Sequence, residues 1–236
     1  VLQFHRILDK ISEIPPNYKA WNLGLASGLA CCGFTFLLGG GPVEMILAFF
    51  GAGVGMYVRK KLLERHITLL ANVAAGVAAA CCTYLLLFKL FEVIFNVSSV
   101  HQSGYICSML FVIPGFPLIT GGIDLAKLDL RSGLERITYA LLIILMATIT
   151  GWVVALLLHF SPADFPELEM APLLKMVIRI ITSFCGVYGF SLMFNSKRKM
   201  AACAGLIGMI ANTTRLELID FTPIPAGVAA FIGAMI

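Results

Sequence analysis

The sequence predicts an all-α integral membrane protein, built as a bundle of transmembrane helices. The 236 residues are 59% hydrophobic and only 13% charged, and the mean hydropathy is +0.93. A water-soluble domain has about a quarter charged residues, so this chain has too few to cover a surface in water. Apolar runs close to the roughly 20 residues that cross a bilayer recur along the chain, and basic residues gather at their ends.

The apolar runs predict eight membrane spans, of which the last is incomplete. They cover residues 20–38, 43–58, 67–88, 104–122, 137–160, 173–194, 200–211 and 221–236. Residues 1–19 carry five charges and are expected to form a cytoplasmic amphipathic lead-in, with no signal peptide. Residues 161–172 form a loop that contains Pro and acidic residues.

The distribution of Lys and Arg predicts the orientation. Of the 17 basic residues, 13 lie on the side that holds the N-terminus. By the positive-inside rule the N-terminus is cytoplasmic, the protein is a multi-pass protein of the cell membrane, and loop 161–172 is extracytoplasmic. The net charge of +4 comes from residues at span ends and forms no basic stripe with interleaved aromatics, so nucleic acid is not an expected partner.

Three short segments recur in order and predict an internal repeat. Residues 33–39 match 189–195, Gly55-Met56 matches Gly208-Met209, and residues 75–79 match 226–230, at offsets of 156, 153 and 151. Each pair is separated by five spans, an odd number, so the second copy would enter the membrane from the opposite side. The prediction is a 5+5 inverted repeat, typical of secondary transporters. Residues 20–160 would be the first repeat and 173–236 the second, with its last two helices missing from this segment.

The fourth span contains the motif Pro114-Gly115-Phe116-Pro117. Each Pro removes a backbone donor and clashes with the preceding turn, so we expect the helix to break at membrane depth. Backbone N–H and C=O groups released at such a break bind substrates in transporters, and Thr120 follows within one turn. The alternative is a kink that only improves packing.

Other candidate site residues are polar groups in or near spans. Asp124, at the cytoplasmic end of the fourth span, is either a proton-coupling acid or an interfacial acid that caps the amphipathic segment 125–136. Four further polar side chains are candidates for substrate contacts or for hydrogen bonds between helices: Thr35, Asn72, Ser191 and Asn212.

Catalytic and metal-binding motifs are absent from the sequence. No H-E-x-x-H, G-x-S-x-G or Walker A pattern occurs, so we expect neither an enzyme nor an ATP-driven pump. The seven cysteines have no C-x-x-C spacing, and no metal or other cofactor is expected. Gly24-x-x-x-Gly28 and Gly51-x-x-x-Gly55 suit close helix packing, including that of a homodimer.

These motifs together resemble the threonine/serine exporter family. The resemblance rests on Tyr18-Lys19-Ala20-Trp21, residues 33–40, the sequence Ile113 to Pro117 followed by Asp124, Gly133-x-x-Arg136, and residues 189–195. It implies ten spans, in one chain or as two paired subunits, and export driven by the proton motive force. The implied substrates are threonine and serine, and a related two-subunit system is associated with succinate.

The leading hypothesis is therefore a proton-driven exporter of threonine and serine, with the broken fourth span holding the substrate and Asp124 coupling the proton. One alternative is a C4-dicarboxylate (succinate) exporter, for which Arg179 is the expected cation. A passive channel is another. An alternative of a different class is a non-transporting membrane scaffold or assembly subunit.

Overall fold

The computed structural model describes residues 16–95, 104–160 and 170–236, and over these ranges the chain contains helices and no strand. The predicted lead-in and loop 161–172 lie largely outside the described residues. Among the described residues, a 3-10 turn spans Leu110–Val112. The helices are α1 Ala20–Leu37, α2 Pro42–Glu64, α3 Leu69–Phe95, α4 Gly104–Cys107, α5 Gly115–Ala126, α6 Leu130–Leu157, α7 Pro172–Met193, α8 Arg198–Phe221 and α9 Ala226–Met235.

Five of the described helices, α1, α2, α3, α6 and α7, are long and apolar enough to cross a membrane. Residues 104–112 and 115–126 would form a sixth span if counted together, and the two halves meet at an angle of 62°. The all-α membrane fold predicted from composition is confirmed.

The second half of the chain differs from the predicted spans. The sequence predicts a short seventh span at 200–211 and a new one from 221, whereas α8 runs unbroken from Arg198 to Phe221 and α9 begins only at Ala226. The extension of α8 carries Arg215 and Glu217, which hydropathy excludes from a span. Their side chains bond to Asn212 and Arg179 respectively, so the helix continues with its polar groups paired.

Glycines bring α1, α2 and α3 into close contact. A Cβ atom on Gly24 would lie 2.9 Å from the Gly53 carbonyl oxygen, and one on Gly28 would lie 2.6 Å from that of Phe49. On the other face of α2, a Cβ on Gly55 would lie 2.7 Å from the Gly76 carbonyl oxygen of α3. The glycine motifs proposed for a homodimer thus serve packing within the chain.

Helix α1 also packs against α7, and the two run antiparallel. Asn17, just before α1, donates from its backbone and side-chain N–H groups to the side-chain and backbone oxygens of Asn195, just after α7, both at 2.9 Å. Where the helices cross, a Cβ on Gly33 would lie 2.6 Å from the Thr182 oxygen, and one on Gly189 would lie 2.5 Å from the Ala26 oxygen. The two contacts are equivalent at an offset of 156, because Gly189 lies 156 residues after Gly33 and Thr182 lies 156 residues after Ala26.

The packing of α2 on α3 resembles that of α8 on α9. A Cβ on Gly76 would lie 3.2 Å from Arg59 Cβ, and one on Gly233 would lie 3.2 Å from Arg215 Cβ. These contacts favour an offset of 156 to 157 over the 151 of the sequence match, which pairs Gly76 with Gly227. Gly227 has open space around its Cβ position and so does not share the environment of Gly76.

Candidate functional site

The fourth predicted span is broken where its prolines lie. The 3-10 turn ends at Val112, and α5 begins at Gly115. Pro114 occupies the N-cap position of α5 and makes no side-chain capping hydrogen bond. Gly115 N–H donates to the Ile113 oxygen at 2.9 Å. In the described backbone no hydrogen bond is donated by Phe116 N–H, and none is accepted by the Val112 oxygen. The break therefore leaves one donor and one acceptor available to a bound group.

A cavity of about 290 Å³ opens at this break. Its walls come from the start of α1, the last turns of α2 and α7, the first half of α6, and the segment from the 3-10 turn into α5. Its lining includes Arg59, Lys60, Pro114, Pro117, Tyr139 and Phe190. Its volume is close to the lower end of the range of small-molecule sites, which is about 300 Å³.

The charged side chains that line this cavity are both basic. Arg59 and Lys60 make no ion pair with any acid in the described part of the chain, whereas their neighbour Lys61 pairs with Glu64 at 2.9 Å on the exposed side of α2. Tyr139 lies close enough to Arg59 to interact with it electrostatically. The N-terminal end of α5, where a helix dipole is positive, lies at the same cavity. This arrangement can hold a carboxylate.

The residues predicted at the break separate into two groups. Pro114 and Pro117 line the cavity, as expected for a substrate-binding break. The ring of Phe116 is 64% exposed and contacts that of Phe194, with 6.3 Å between centroids. Thr120 donates its hydroxyl proton to the Phe116 oxygen of the preceding turn at 2.9 Å. Gly115 begins α5 with no atom within 4 Å of its Cβ position.

None of the four other polar candidates lines the cavity. Thr35 is buried and donates to the Cys31 oxygen at 2.7 Å, and Asn72 is buried near the start of α3. Asn212 donates to Ser183 Oγ at 2.8 Å and accepts from Arg215, which ties α8 to α7. Ser191 is half-buried on α7. The contacts of Thr35 and Asn212 fit the role of hydrogen bonds within and between helices.

Asp124 lies beyond the cavity, on α5. One of its carboxylate oxygens is 2.9 Å from an Arg136 guanidinium nitrogen on α6. The same two helices meet at Gly121 and Gly133, where a Cβ on Gly133 would overlap the side chain of Leu125. Asp124 thus fastens α5 to α6, and its predicted coupling role stays a prediction.

Arg179 is not available to a substrate as the dicarboxylate hypothesis expects. Its guanidinium lies 3.0 Å from Glu217 and 2.9 Å from Asp220, both on α8, and Lys175 also reaches Asp220 at 2.8 Å. The side chain is buried between α7 and α8, at the opposite end of α7 from the cavity. The cations at the cavity are instead Arg59 and Lys60, which the sequence argument assigned to topology.

Sequence reasoning also missed Glu44, a carboxylic acid in the first turn of α2 whose side chain is fully buried. The sequence contains a signal that points to it, because an acid within an apolar run of a membrane protein is costly to bury. Over the described ranges, no group of three or more His, Cys, Asp or Glu side chains is placed to hold a metal ion.

Comparison of the sequence with known proteins identifies its family. Residues 1–159 match the family model described as "Putative threonine/serine exporter". The chain is 33% identical over 163 residues to the "Probable succinate transporter subunit YjjP" of Escherichia coli (strain K12), which covers 66% of this chain and 62% of that protein. It is 32% identical over 165 residues to the protein of the same name from Klebsiella aerogenes, covering 66% and 61%.

A more distant relative is the "Pheromone-regulated membrane protein 10" of Debaryomyces hansenii, 25% identical over 166 residues, which covers 64% of this chain and 15% of that protein. The chain spans about three fifths of the length of the two bacterial relatives. No solved structure matches it. The family match covers well over half of the 236 residues, and the chain belongs to the threonine/serine exporter family.

Proposed function

We propose that this chain is part of a secondary exporter of small carboxylates, driven by the proton motive force, and that its preferred substrates are C4-dicarboxylates such as succinate. The observation that carries the proposal is the pair of cations, Arg59 and Lys60, at a cavity that also contains the broken helix. Two bacterial relatives named as succinate transporter subunits support the same substrate class.

The cavity favours a dianion for electrostatic reasons. A carboxylate that leaves water needs charge-assisted hydrogen bonds, and a guanidinium such as that of Arg59 can hold it through two parallel bonds. Lys60 offers a further donor to a second carboxylate. No acidic side chain among the described residues lines this cavity. The ammonium group of an amino acid would therefore face two cations with no anion to offset them.

Threonine and serine are the second candidate. The description of the matching family model favours them. One structural feature also fits, since the unbonded carbonyl oxygen of Val112 at the cavity is an acceptor for an ammonium group. Arg59 would then bind the single carboxylate.

Under the predicted topology, this cavity would lie on the cytoplasmic side of the membrane. With the N-terminus in the cytoplasm, the start of α1 and the ends of α2 and α7 lie on the cytoplasmic side of a cell membrane. The cavity is formed by those ends, so the conformation described is one that loads substrate from the cytoplasm, as an exporter requires.

We also propose the 5+5 inverted repeat, at the offset indicated by packing. Its support is the antiparallel, reciprocal contact of α1 with α7 through Gly33 and Gly189. It gains further support from Arg59 and Arg215, which occupy equivalent positions against α3 and α9. Rocking of one repeat against the other around a fixed site is the usual basis of alternating access. Because the bacterial relatives are named as subunits, a paired second subunit is the expected partner.

The test is transport into inverted membrane vesicles that contain the full-length protein together with its partner subunit. An imposed proton gradient should drive uptake of labelled succinate, and Arg59→Gln should raise the KM for succinate by roughly one to two orders of magnitude, the cost of one charged hydrogen bond. Lys61→Gln is the matched control, because Lys61 lies two residues further along the same helix on its exposed face.

The vesicle assay distinguishes the candidate functions. Uptake of threonine but not succinate would favour the second candidate. No gradient-driven uptake of either compound would contradict transport and favour the scaffold alternative, and uptake that never exceeds equilibrium would indicate a passive channel.

A further inference from the structure

We propose that Glu44 is the proton-binding group that couples this transporter to the proton gradient, an inference that rests on the proposed function. Glu44 lies in the first turn of α2, fully buried, whereas Arg59 lies 15 residues later at the other end of the same helix. At about 1.5 Å per residue the two positions are about 22 Å apart along the axis. The proton site and the substrate cavity are therefore distinct and lie near opposite ends of the bundle.

The burial of Glu44 is the first argument. A carboxylate inside a membrane bundle costs several kcal/mol to desolvate, so such groups are rare and serve ion or proton paths. The other carboxylates in the described helices all keep part of their side chain accessible, including Glu64, Asp124 and Glu217 at 46%, 21% and 22% exposure. Because the charged form of a buried carboxyl group carries this desolvation cost, gaining or losing a proton changes the free energy of its surroundings strongly.

The second argument is what surrounds the carboxyl group. From α3 the hydroxyl of Tyr84 approaches it, and from α4 Cys107 lies within electrostatic range. Gly104, the first residue of α4, has no room for a side chain, because a Cβ would overlap Tyr84 Oη and would lie 2.7 Å from Glu44 Cβ. Helix α4 therefore packs directly on the Glu44 side chain.

This contact links Glu44 to the substrate cavity. Only a few residues separate α4 from the 3-10 turn Leu110–Val112 and the break at Pro114, which line the cavity. A change in the size or hydrogen bonding of the Glu44 carboxyl on protonation would be felt first by α4. The broken span is thus the element that connects the proton site to the substrate site.

A second cavity gives a route for protons. It has a volume of about 380 Å³, lies between the ends of α3 and α6, and its lining includes Lys89, Glu92, His159 and Phe160. The ring of Phe160 packs on that of Tyr105, with 5.0 Å between centroids, and Tyr105 packs edge-on against Tyr84 at 6.3 Å. Two tyrosines therefore separate the polar cavity from Glu44. The predicted topology makes this end extracytoplasmic, the side from which protons enter during export.

The transport step follows from these positions. A proton from the extracytoplasmic cavity binds the Glu44 carboxylate and converts it to the neutral acid. The same proton is released on the cytoplasmic side after the substrate has left outward. One proton per cycle across a gradient of one pH unit sustains a concentration ratio of about tenfold.

The experiment compares gradient-driven accumulation with substrate counterflow in inverted vesicles containing the full-length protein and its partner subunit. Glu44→Gln should reduce the accumulation ratio from about tenfold to about one under a gradient of one pH unit, while counterflow of labelled succinate stays near the wild-type rate. Glu64→Gln, an exposed acid on the same helix, should leave both rates unchanged.

Four results would overturn the inference. In Glu44→Gln, accumulation at the wild-type ratio, or loss of counterflow as well as accumulation, would each contradict it. Loss of coupling in Asp124→Asn, with coupling retained in Glu44→Gln, would also contradict it. If Glu44→Gln fails to reach the membrane, an unshifted pH profile of transport by Glu44→Asp would contradict it. A shifted pH profile for Glu44→Asp supports the inference. If the wild-type protein moves no substrate in either assay, the proposed function fails, a result distinct from all of these.

Discussion

Phe34 of α1 and Phe190 of α7 pack edge to face, with 5.3 Å between their ring centroids. The two residues are 156 positions apart, the same separation that relates Gly33 to Gly189 and Arg59 to Arg215. A residue can touch its own counterpart only near a two-fold axis. Phe190 also lines the cavity at the broken span, so in the proposed inverted repeat this cavity would lie beside the axis that relates the two halves.

The first prediction concerns the crossing of α1 and α7. Gly33→Ala and Gly189→Ala should each lower the free energy of unfolding by about 1–3 kcal/mol, since the added methyl would meet backbone atoms that cannot move aside. Thermal unfolding in detergent measures both. Gly227→Ala, in open space on α9, is the control and should be close to neutral. Very different costs for the two crossing variants would contradict a two-fold arrangement.

A second prediction tests whether the repeats are inverted. In a background without the seven native cysteines, Arg59→Cys should react with a membrane-impermeant thiol reagent added at the cytoplasmic side. Arg215→Cys should react only with reagent added at the opposite side, because its helix enters the equivalent position from there. Labelling of both cysteines from one side would rule out the inverted arrangement.

The third prediction separates Arg179 from Arg59. Arg179 is held by Glu217 and Asp220, so Arg179→Gln would leave Glu217 without its cation at the α7–α8 contact, while Asp220 would keep Lys175. We expect it to destabilise the protein by about 3 kcal/mol, at the low end for a broken buried pair because the two acids are partly exposed. The KM for succinate in the folded fraction should be unchanged. A higher KM for succinate in Arg179→Gln, with stability unchanged, would indicate instead that Arg179 binds the substrate.

The fourth prediction concerns the start of α6. Asp129 accepts a hydrogen bond from Ser132 N–H, and hydrogen bonding with Ser132 holds the pKa of this carboxyl below its usual value. A lowered folded-state pKa means that the cap stabilises the protein at pH values above the unfolded-state pKa of about 3.9 and that this stability is lost as the pH falls through the folded value. Asp129→Ala should therefore unfold more easily than wild type at neutral pH.

The two proteins should converge in stability as the solution becomes acidic. Asp129→Asn keeps a capping acceptor that does not titrate, so it should reduce this pH dependence while retaining part of the stability at neutral pH. The measurement is denaturant unfolding as a function of pH. Parallel curves for wild type and Asp129→Ala across the acidic range would contradict the assignment.

Local chemistry made some of these features predictable. A proline inside a helix removes a backbone donor and clashes with the preceding turn, so the break at Pro114 followed from the sequence, and Pro117 is accommodated in the first turn of α5. The apolar runs predicted α1, α2, α3, α6 and α7 for the same reason, since each run must satisfy its backbone within itself. Their ends differ from the predicted ones by a few residues or less, apart from the C-terminal ends of α2 and α3 and the start of α6.

Features that depend on long-range packing were missed. Arg59 and Lys60 resemble ordinary charges at a span end until α6 and α7 close a cavity around them. Helix α8 is longer than hydropathy predicts because Arg179, distant in sequence, pairs with Glu217. Residues 226–230 resemble 75–79 in Ala and Gly composition, but Gly227 does not share the packing environment of Gly76.

The central claim is that the cavity at Arg59 and Lys60 binds a small dicarboxylate. The most direct measurement is the thermal unfolding of the purified full-length protein, with its partner subunit, in the presence of succinate or threonine. Saturating succinate, at about 100 times its Kd, should stabilise the wild-type protein by about 2.7 kcal/mol, but Arg59→Gln, which binds about 10 to 100 times more weakly, by only about 0.4–1.4 kcal/mol. Absence of any shift with succinate, or an equal shift in wild type and Arg59→Gln, would contradict the claim.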